Sequence, residues 1–223
     1  MAEFISEYGV LLAEGLRDTL YMSLMSAFFS YVLGLPMGVL LFITDKGGIK
    51  ENVQFNRVYS RLINILRSFP FIILIVVLIP ATRFVVGKAI GATAAIFPLT
   101  IGCAPFVARL VYNSLAEIDK GVIEACQCMG ADTKTLIKVI ITESVPSLIR
   151  GISMTCITLI GYSAIAGSIG AGGLGDIAIR YGYHRRTPPV MWASVAIIVV
   201  IVCIIQTVFD VAAKNSDKRN LNS

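Results

Sequence analysis

Two cysteines separated by one residue are the first side chains in the sequence that could do chemistry. Cys126 and Cys128 stand in the stretch IEACQCMGADTKTLIKVI, residues 123–140. Structural zinc sites use C-x₂₋₄-C pairs with two further Cys or His ligands, and the only histidine is His184. On a helix, positions 126 and 128 point about 200° apart. The pattern therefore argues against a metal site.

A glycine-rich hexapeptide could bind a phosphate. GAGGLG, residues 170–175, fits G-x-G-x-x-G, but that motif indicates a dinucleotide site only between a strand and a helix. Here it follows a long apolar segment. No G-x-x-x-x-G-K-[ST] occurs in the 223 residues, and one histidine without paired carboxylates in the apolar segments offers no catalytic set. We therefore expect a protein that is not an enzyme and binds no cofactor itself.

Composition indicates a protein that crosses a membrane several times. Hydrophobic residues make up 56% of the chain, charged residues only 15%, and the mean hydropathy is +0.80; soluble domains carry about 25% charged residues. The net charge of +5 is not arranged as a basic stripe with interleaved aromatics, which argues against nucleic-acid binding. The five cysteines do not suggest a disulfide framework.

Five segments are long and apolar enough to cross about 30 Å of hydrocarbon as helices. Pro70, Pro98 and Pro105 fall inside them and are expected to be tolerated. A short amphipathic segment precedes the first. We expect one all-α domain over residues 1–223, with its core at about 12–212. The predicted spans are about 20–43, 62–81, 91–113, 148–169 and 190–211.

Lysines and arginines predict the orientation of these five spans. Twelve lie in segments 44–67 and 114–150 and in the C-terminal tail, against six on the other side. The positive-inside rule then places the N-terminus outside and the C-terminus in the cytoplasm. Arg109 is expected near the inner end of the third span, where its head reaches the interface. His184 and the GAGGLG segment fall on the outer side.

The opening cysteines lie in a cytoplasmic loop, residues 114–147, whose pattern is helical in two pieces. Val122, Cys126 and Met129 share one face of the first piece. Gly130 is expected to end that piece, and Asp132 to cap the second. Leu136, Ile137, Ile140 and Ile141 form the apolar face of the second piece.

This loop resembles the EAA loop of bacterial ABC importer permeases, E-A-A-x₃-G-x₉-I-x-L-P. Glu124, Ala125, Gly130 and Ile140 match, Cys126 replaces the second alanine, and Thr142-Glu143 replaces the usual Leu-Pro. A related upstream pattern, E-I-P-x-G, appears at residues 117–121. The resemblance implies that the loop couples the protein to an ATPase through Glu117, Gly121, Glu124, Ala125, Cys126, Gly130, Ala131 and Ile140.

RSFPFIILIVVLIPATRFVVG (67–87) and GYSAIAGSIGAGGLGDIAIRYGY (161–183) further resemble the five-span methionine importer permeases. That resemblance implies the ABC type-1 importer fold, a bacterial inner-membrane location and import of L- or D-methionine by alternating access. It also implies a homodimer, an extracytoplasmic binding protein, and two cytoplasmic ATPase subunits that bind the ATP and Mg²⁺.

The glycine-rich segment has two interpretations at this stage. It is either tight packing at a helix end or a mobile outer gate, in which case the gate and pathway residues would be Tyr162, Ser163, Ile165, Gly170, Gly172 and Gly173. Three alternatives to a methionine permease also stay open: a permease for another small solute, a self-sufficient secondary transporter or channel, and an intramembrane enzyme.

Overall fold

The computed structural model describes residues 2–217, with side chains from residue 6 onward, and this part of the chain is all-α. Two π-helical stretches, Gly167–Ala171 and Ala178–His184, flank the short helix α9. The ten α-helices are α1 Ala2–Thr44, α2 Val53–Ser68, α3 Phe71–Val77, α4 Ile79–Val86, α5 Ala92–Ala116, α6 Lys120–Cys128, α7 Thr133–Glu143, α8 Val145–Ala166, α9 Gly173–Ile177 and α10 Pro188–Ser216.

Four helical segments are long and apolar enough to span a membrane: Ser6–Thr44, Ala92–Ala116, Val145–Ala171 and Pro188–Ser216. They overlap the first, third, fourth and fifth predicted spans, which stay predictions as membrane spans. Pro98 and Pro105 lie inside the continuous helix α5, as expected for prolines whose freed carbonyls are satisfied by neighbouring groups.

The second predicted span, 62–81, is wrong as a single helix. The chain bends by 93° between α2 and α3 and breaks again at Leu78 before α4. Phe69 is extended (φ −67°, ψ 125°), because the ring of Pro70 disfavours a helical residue before it. Together α2 and α3 can make one broken span. Arg67 therefore lies within α2 and not in the loop assigned to it from the sequence.

The first helix is much longer than its predicted span. α1 has 43 residues, about 65 Å of helix, because the amphipathic segment before residue 20 continues into the span without a break. Gly15 does not interrupt it. The missing side chain of Gly15 instead lets Ile177 of α9 pack directly against the helix backbone.

α1 packs closely against α5, and two glycines one turn apart allow this approach. A β-carbon on Gly34 would lie 2.8 Å from the Ala104 carbonyl oxygen, and one on Gly38 would lie 2.5 Å from that of Ala108. This G-x-x-x-G spacing brings backbones together in membrane helices. The sequence shows it plainly as GLPMG, residues 34–38.

The main core lies where α1, α3, α5 and α8 meet, and α10 covers it from one side. Its fully buried members include Met22, Leu99, Val107 and Leu159. In its most apolar stretch α10 buries no residue, so its outer surface is available to lipid. Apolar side chains also cover the exposed surfaces of α1 and α3, as expected for a protein in a bilayer.

Candidate functional site

The loop between α5 and α8 folds as the predicted pair of helices. The side chain of Asp119 caps α6 by accepting a 2.7 Å hydrogen bond from the Gly121 N–H. Gly130 then reverses the chain with φ +78°, a conformation that a side chain disfavours. The predicted end of the first piece at Gly130 is therefore confirmed.

Asp132 caps α7, as predicted, and α7 fastens the loop to the membrane part of the protein. The Asp132 carboxylate accepts hydrogen bonds from the hydroxyl and then the N–H of Thr135, and these bonds lower the pKa of Asp132. Leu136 and Ile140 are buried, while Ile137 and Ile141 are half-buried. The predicted apolar face of this helix thus packs on the core.

α6 differs from α7 in that it packs weakly on the rest of the chain, with Ile123 half-buried against the core. None of its nine residues, all of which the structure describes, is buried. Of the predicted apolar face, Met129 just beyond the helix is 78% exposed and Val122 is exposed as well. Ala125 is exposed beside them and Cys126 is half-buried. This side of α6 is an exposed, largely apolar surface that is open to a partner.

The opposite side of α6 faces a cavity of about 490 Å³. Ile123, Glu124 and Gln127 line it, across from residues 46–49 of the α1–α2 loop. The carboxyl of Glu124, assigned to ATPase coupling by resemblance, therefore lies toward its own chain's loop.

Glu117 joins α5 and α8, the two helices on either side of the loop. The Ser147 hydroxyl lies 2.8 Å from the Glu117 carboxylate and 3.1 Å from the Ser114 hydroxyl. This cluster ties the end of α5 to the start of α8. Nearby, Arg150 forms a 3.9 Å ion pair with Asp217 after α10. Three membrane helices thus meet at the base of the loop.

A second polar contact holds the α1–α2 loop to α5. The Tyr112 hydroxyl donates a hydrogen bond to the Asp45 carboxylate, and the Arg109 guanidinium lies 5.0 Å from the Tyr112 ring centroid. Arg109 is half-buried two turns before the end of α5. Its cation is therefore partnered by an aromatic face near the helix end where it was expected.

Three of the predicted gate residues, Tyr162, Ser163 and Ile165, lie on the last turns of α8. Tyr162 stacks on Phe71 of α3, with ring centroids 4.3 Å apart and planes within 5°. Ser163 is 2% exposed and donates a 2.7 Å hydrogen bond to the Ile160 carbonyl, while Ile165 is exposed. Within this chain Tyr162 therefore connects α8 to the start of α3, next to the bend between α2 and α3.

The glycine segment is a tight reversal after α8, and the residues before it are helical. Gly170, Gly172 and Gly173 all have φ above +80°. The Leu174 N–H donates a buried 2.9 Å hydrogen bond to the Thr19 hydroxyl of α1. A β-carbon on Gly173 would lie 2.7 Å from that hydroxyl oxygen. The turn is thus held against α1.

Sequence reasoning missed Thr19, Asp45 and Ser147. Each makes its contact with a residue at least 30 positions away, and no local pattern marks such a partner. The Gly34–Gly38 spacing is different, because a search for small-x-x-x-small pairs would have found it.

Comparisons with known proteins agree with this architecture. The family described as "Binding-protein-dependent transport system inner membrane component" matches residues 30–222. The probable D-methionine transport system permease protein MetI of Vibrio cholerae is 43% identical over 220 residues, 98% of each chain. The methionine import system permease protein MetP of Bacillus subtilis is 49% identical over 203 residues, 91% of each chain.

Solved structures give the same result. A chain of the MetNI methionine ABC transporter, crystallised in inward-facing conformations, superposes with a TM-score of 0.92 at 45% identity. The match covers 94% of this chain and 98% of that one. An amino acid ABC transporter with histidines shares the fold alone, with a TM-score of 0.70 at 20% identity over 96% of both chains. The chain therefore belongs to the family of binding-protein-dependent transport system inner membrane components, multi-pass proteins of the bacterial inner membrane.

Proposed function

We propose that this chain is the permease subunit of an ATP-driven importer that moves methionine, L or D, into the cytoplasm. The names of the relatives and the MetNI structure support this substrate. In this role residues 1–223 form one transmembrane domain with the N-terminus outside and the C-terminus in the cytoplasm. The chain itself carries out no chemical reaction.

The single observation that carries the proposal is the state of α6. It holds the EAA residues Glu124 and Ala125, is fixed at both ends by Asp119 and Gly130, and leaves its apolar side uncovered. A short rigid helix with no buried residue has little reason to be ordered for its own chain's stability. It suits a helix that is completed by the groove of another protein.

This chain contains no G-x-x-x-x-G-K-[ST] motif, so we assign ATP hydrolysis to partner subunits. Two copies would pair about a two-fold axis to enclose a pathway, and each would seat its α6 in one cytoplasmic ATPase subunit. ATP and Mg²⁺ bind those subunits. An extracytoplasmic binding protein delivers the amino acid. Closure of the ATPase pair moves the α6 helices, and α7 passes this motion to the spans by rigid-body displacement.

The outer gate lies where α8 ends, in this proposal. Tyr162, Ser163, Ile165, Gly170, Gly172 and Gly173 alternate between closed and open arrangements as the two copies rock. The stack of Tyr162 on Phe71 and the hydrogen bond of Leu174 to Thr19 support a turn with specific contacts in one of the two arrangements. Alternating access requires these contacts to change when the pathway opens outward.

Reconstitution tests the proposal. The chain, its ATPase and its binding protein are incorporated into liposomes, and uptake of labelled L- and D-methionine is followed with and without ATP. ATP-dependent uptake that needs all three components is expected. Gradient-driven flux through the chain alone would instead identify a secondary transporter or channel. Uptake of another small amino acid, unaffected by excess methionine, would retain the permease and reject methionine.

A further inference from the structure

Helix α2 carries a polar stripe that the proposed function does not use. Polar residues recur along it at intervals of three, four, three and four residues, a spacing that keeps them on one face. All five are exposed within this chain. The polar stripe consists of Gln54, Arg57, Arg61, Asn64 and Ser68.

The rest of α2 divides into two further faces. At about 100° per residue, the polar stripe covers about 80°, and an apolar arc about 100° wide lies next to it. A third face carries Asn56, Tyr59 and Ile63 and packs on α1 and α5. The apolar arc is exposed and consists of Phe55, Val58, Leu62, Ile65 and Leu66.

Contacts of the packed face show how deep α2 reaches. Near its start, Asn56 donates hydrogen bonds to the Leu41 carbonyl at 2.7 Å and to the Thr44 hydroxyl at 3.0 Å, level with the end of α1. Near its end, the Arg67 guanidinium lies 5.9 Å from the ring centroid of Phe106. Phe106 stands ten residues before the end of α5, about 15 Å along the helix. The stripe thus runs from the membrane surface well into it.

Polar side chains at such a depth do not face lipid, because a charged group in hydrocarbon costs several kcal/mol. They face the bundle interior or a water-filled cavity. The packed face of α2 already contacts the bundle, so the polar stripe must face a water-filled cavity. The apolar arc beside it is the face that contacts lipid. A helix lying flat on the membrane surface would not bring Asn64 and Ser68 so deep.

From this we infer that the polar stripe of α2 lines the water-filled cytoplasmic half of the translocation pathway, and that Arg57 and Arg61 bind the α-carboxylate of the departing amino acid. The inference rests on the proposed function for its substrate. α2 contains three arginines and no acidic residue, and guanidinium groups pair with carboxylates through two parallel hydrogen bonds. One turn separates Arg57 from Arg61, so the anion can pass from one to the next.

Thiol labelling tests where the stripe lies. Gln54→Cys, Asn64→Cys and Ser68→Cys are compared with Val58→Cys and Ile65→Cys on the apolar arc at matching depths. The assembled transporter in membrane vesicles is treated with a negatively charged methanethiosulfonate, and peptide mass mapping separates each new cysteine from the native ones. All three stripe positions should react at least about tenfold faster than the two controls, since the reagent needs water to reach a thiolate.

Every other labelling pattern overturns the inference. Reaction at Gln54 alone would mean an interfacial helix. Protection of all three stripe positions would mean that a second copy or another protein covers the stripe. Equal reaction on both faces would mean that α2 is surrounded by water. These readings need no substrate, so they stand even if the transporter does not carry methionine.

The carboxylate step has its own test. Arg57→Gln and Arg61→Gln should each lower ATP-driven uptake about tenfold, the effect expected when a hydrogen bond to a charged group is lost. The lysine variants should recover most of the rate, and Val58→Ala should stay within about twofold of the parent. Full uptake by both glutamine variants, with normal labelling of the stripe, would reject the arginines as ligands and retain the aqueous wall. Uptake of no methionine by the unmodified transporter would reject the proposed substrate instead.

Discussion

The Ser147 hydroxyl donates a 2.8 Å hydrogen bond to the Glu117 carboxylate and so joins the two ends of the loop that contains α6 and α7. We expect this contact to carry part of the motion of α6 and α7 to α5 and α8. Ser147→Ala is expected to cost about 1 kcal/mol of stability, typical for one hydrogen bond, and to lower methionine uptake per ATP hydrolysed. Thr142→Ala, which removes a 2.8 Å bond within its own helix, should leave that ratio unchanged. An unchanged ratio of uptake to ATP hydrolysis in Ser147→Ala would contradict a role of the Ser147–Glu117 hydrogen bond in transmitting motion.

Gly130 tests the ATPase contact itself. Its φ of +78° strains any other residue, although open space surrounds it within this chain. Gly130→Val is expected to insert normally and to uncouple ATP hydrolysis from uptake. Gly130→Asn separates the two causes, because asparagine tolerates this backbone conformation. If Gly130→Asn transports normally and Gly130→Val does not, the effect comes from backbone strain. If both variants fail, the effect comes from close approach by the ATPase. Coupled transport by both variants would refute the coupling role of Gly130.

The α1–α5 interface should be intolerant of added volume at Gly38. A β-carbon there would lie 2.5 Å from the Ala108 carbonyl oxygen, and overpacking of this kind costs about 1–3 kcal/mol. Gly38→Ala should therefore lower the melting temperature of the detergent-solubilised protein. Gly161→Ala is the matched control, since nothing lies within 4 Å of its β-carbon position. Equal melting temperatures for the two variants would mean that α1 and α5 move apart to accommodate the added methyl group without loss of stability.

Thr19 should be needed for its hydroxyl and not for its shape. The buried Leu174 N–H has Thr19 as its acceptor, and a buried donor left unpaired costs about 1–3 kcal/mol. Thr19→Val keeps the volume and loses the bond, whereas Thr19→Ser keeps the bond. Hydrogen exchange at the Leu174 amide should accelerate in the valine variant only. Unchanged exchange in both would show that the turn is held by other contacts.

The cap of α7 should depend on pH. Its hydrogen bonds lower the pKa of Asp132, so its contribution is present above the unfolded pKa of about 3.9 and is lost as pH falls through the lower folded value. Amide exchange of α7 relative to α5, followed from pH 6 downward, should show loss of protection at acid pH. Asp132→Asn keeps an acceptor and should remove that pH dependence. Persistence of the dependence would assign it to another carboxylate.

Local signals in the sequence were sufficient where one residue decides the outcome. Gly130 and Asp132 end and begin helices through their own backbone and side chain, and long apolar runs predicted α5 and α10. The bend at Pro70 could not be read in this way, because Pro98 and Pro105 stand inside an unbroken helix. The result depends on packing around each proline. The contact of Ser147 with Glu117 spans thirty residues and has no local signature.

The length of α1 has a mechanical consequence. Thr19, near the middle of α1, holds the glycine turn. Asp45, just beyond the C-terminal end of α1, is held to α5; about 37 Å of helix separates Thr19 from Thr44. If this rod tilts by about 10°, one end shifts about 6 Å relative to the other. Pro36 is its weak point, since proline removes a helical hydrogen bond, yet Gly34 and Gly38 press that turn against α5. The glycine pair therefore supports α1 at Pro36. A displacement of this helix on one side of the membrane is then transmitted to the other side.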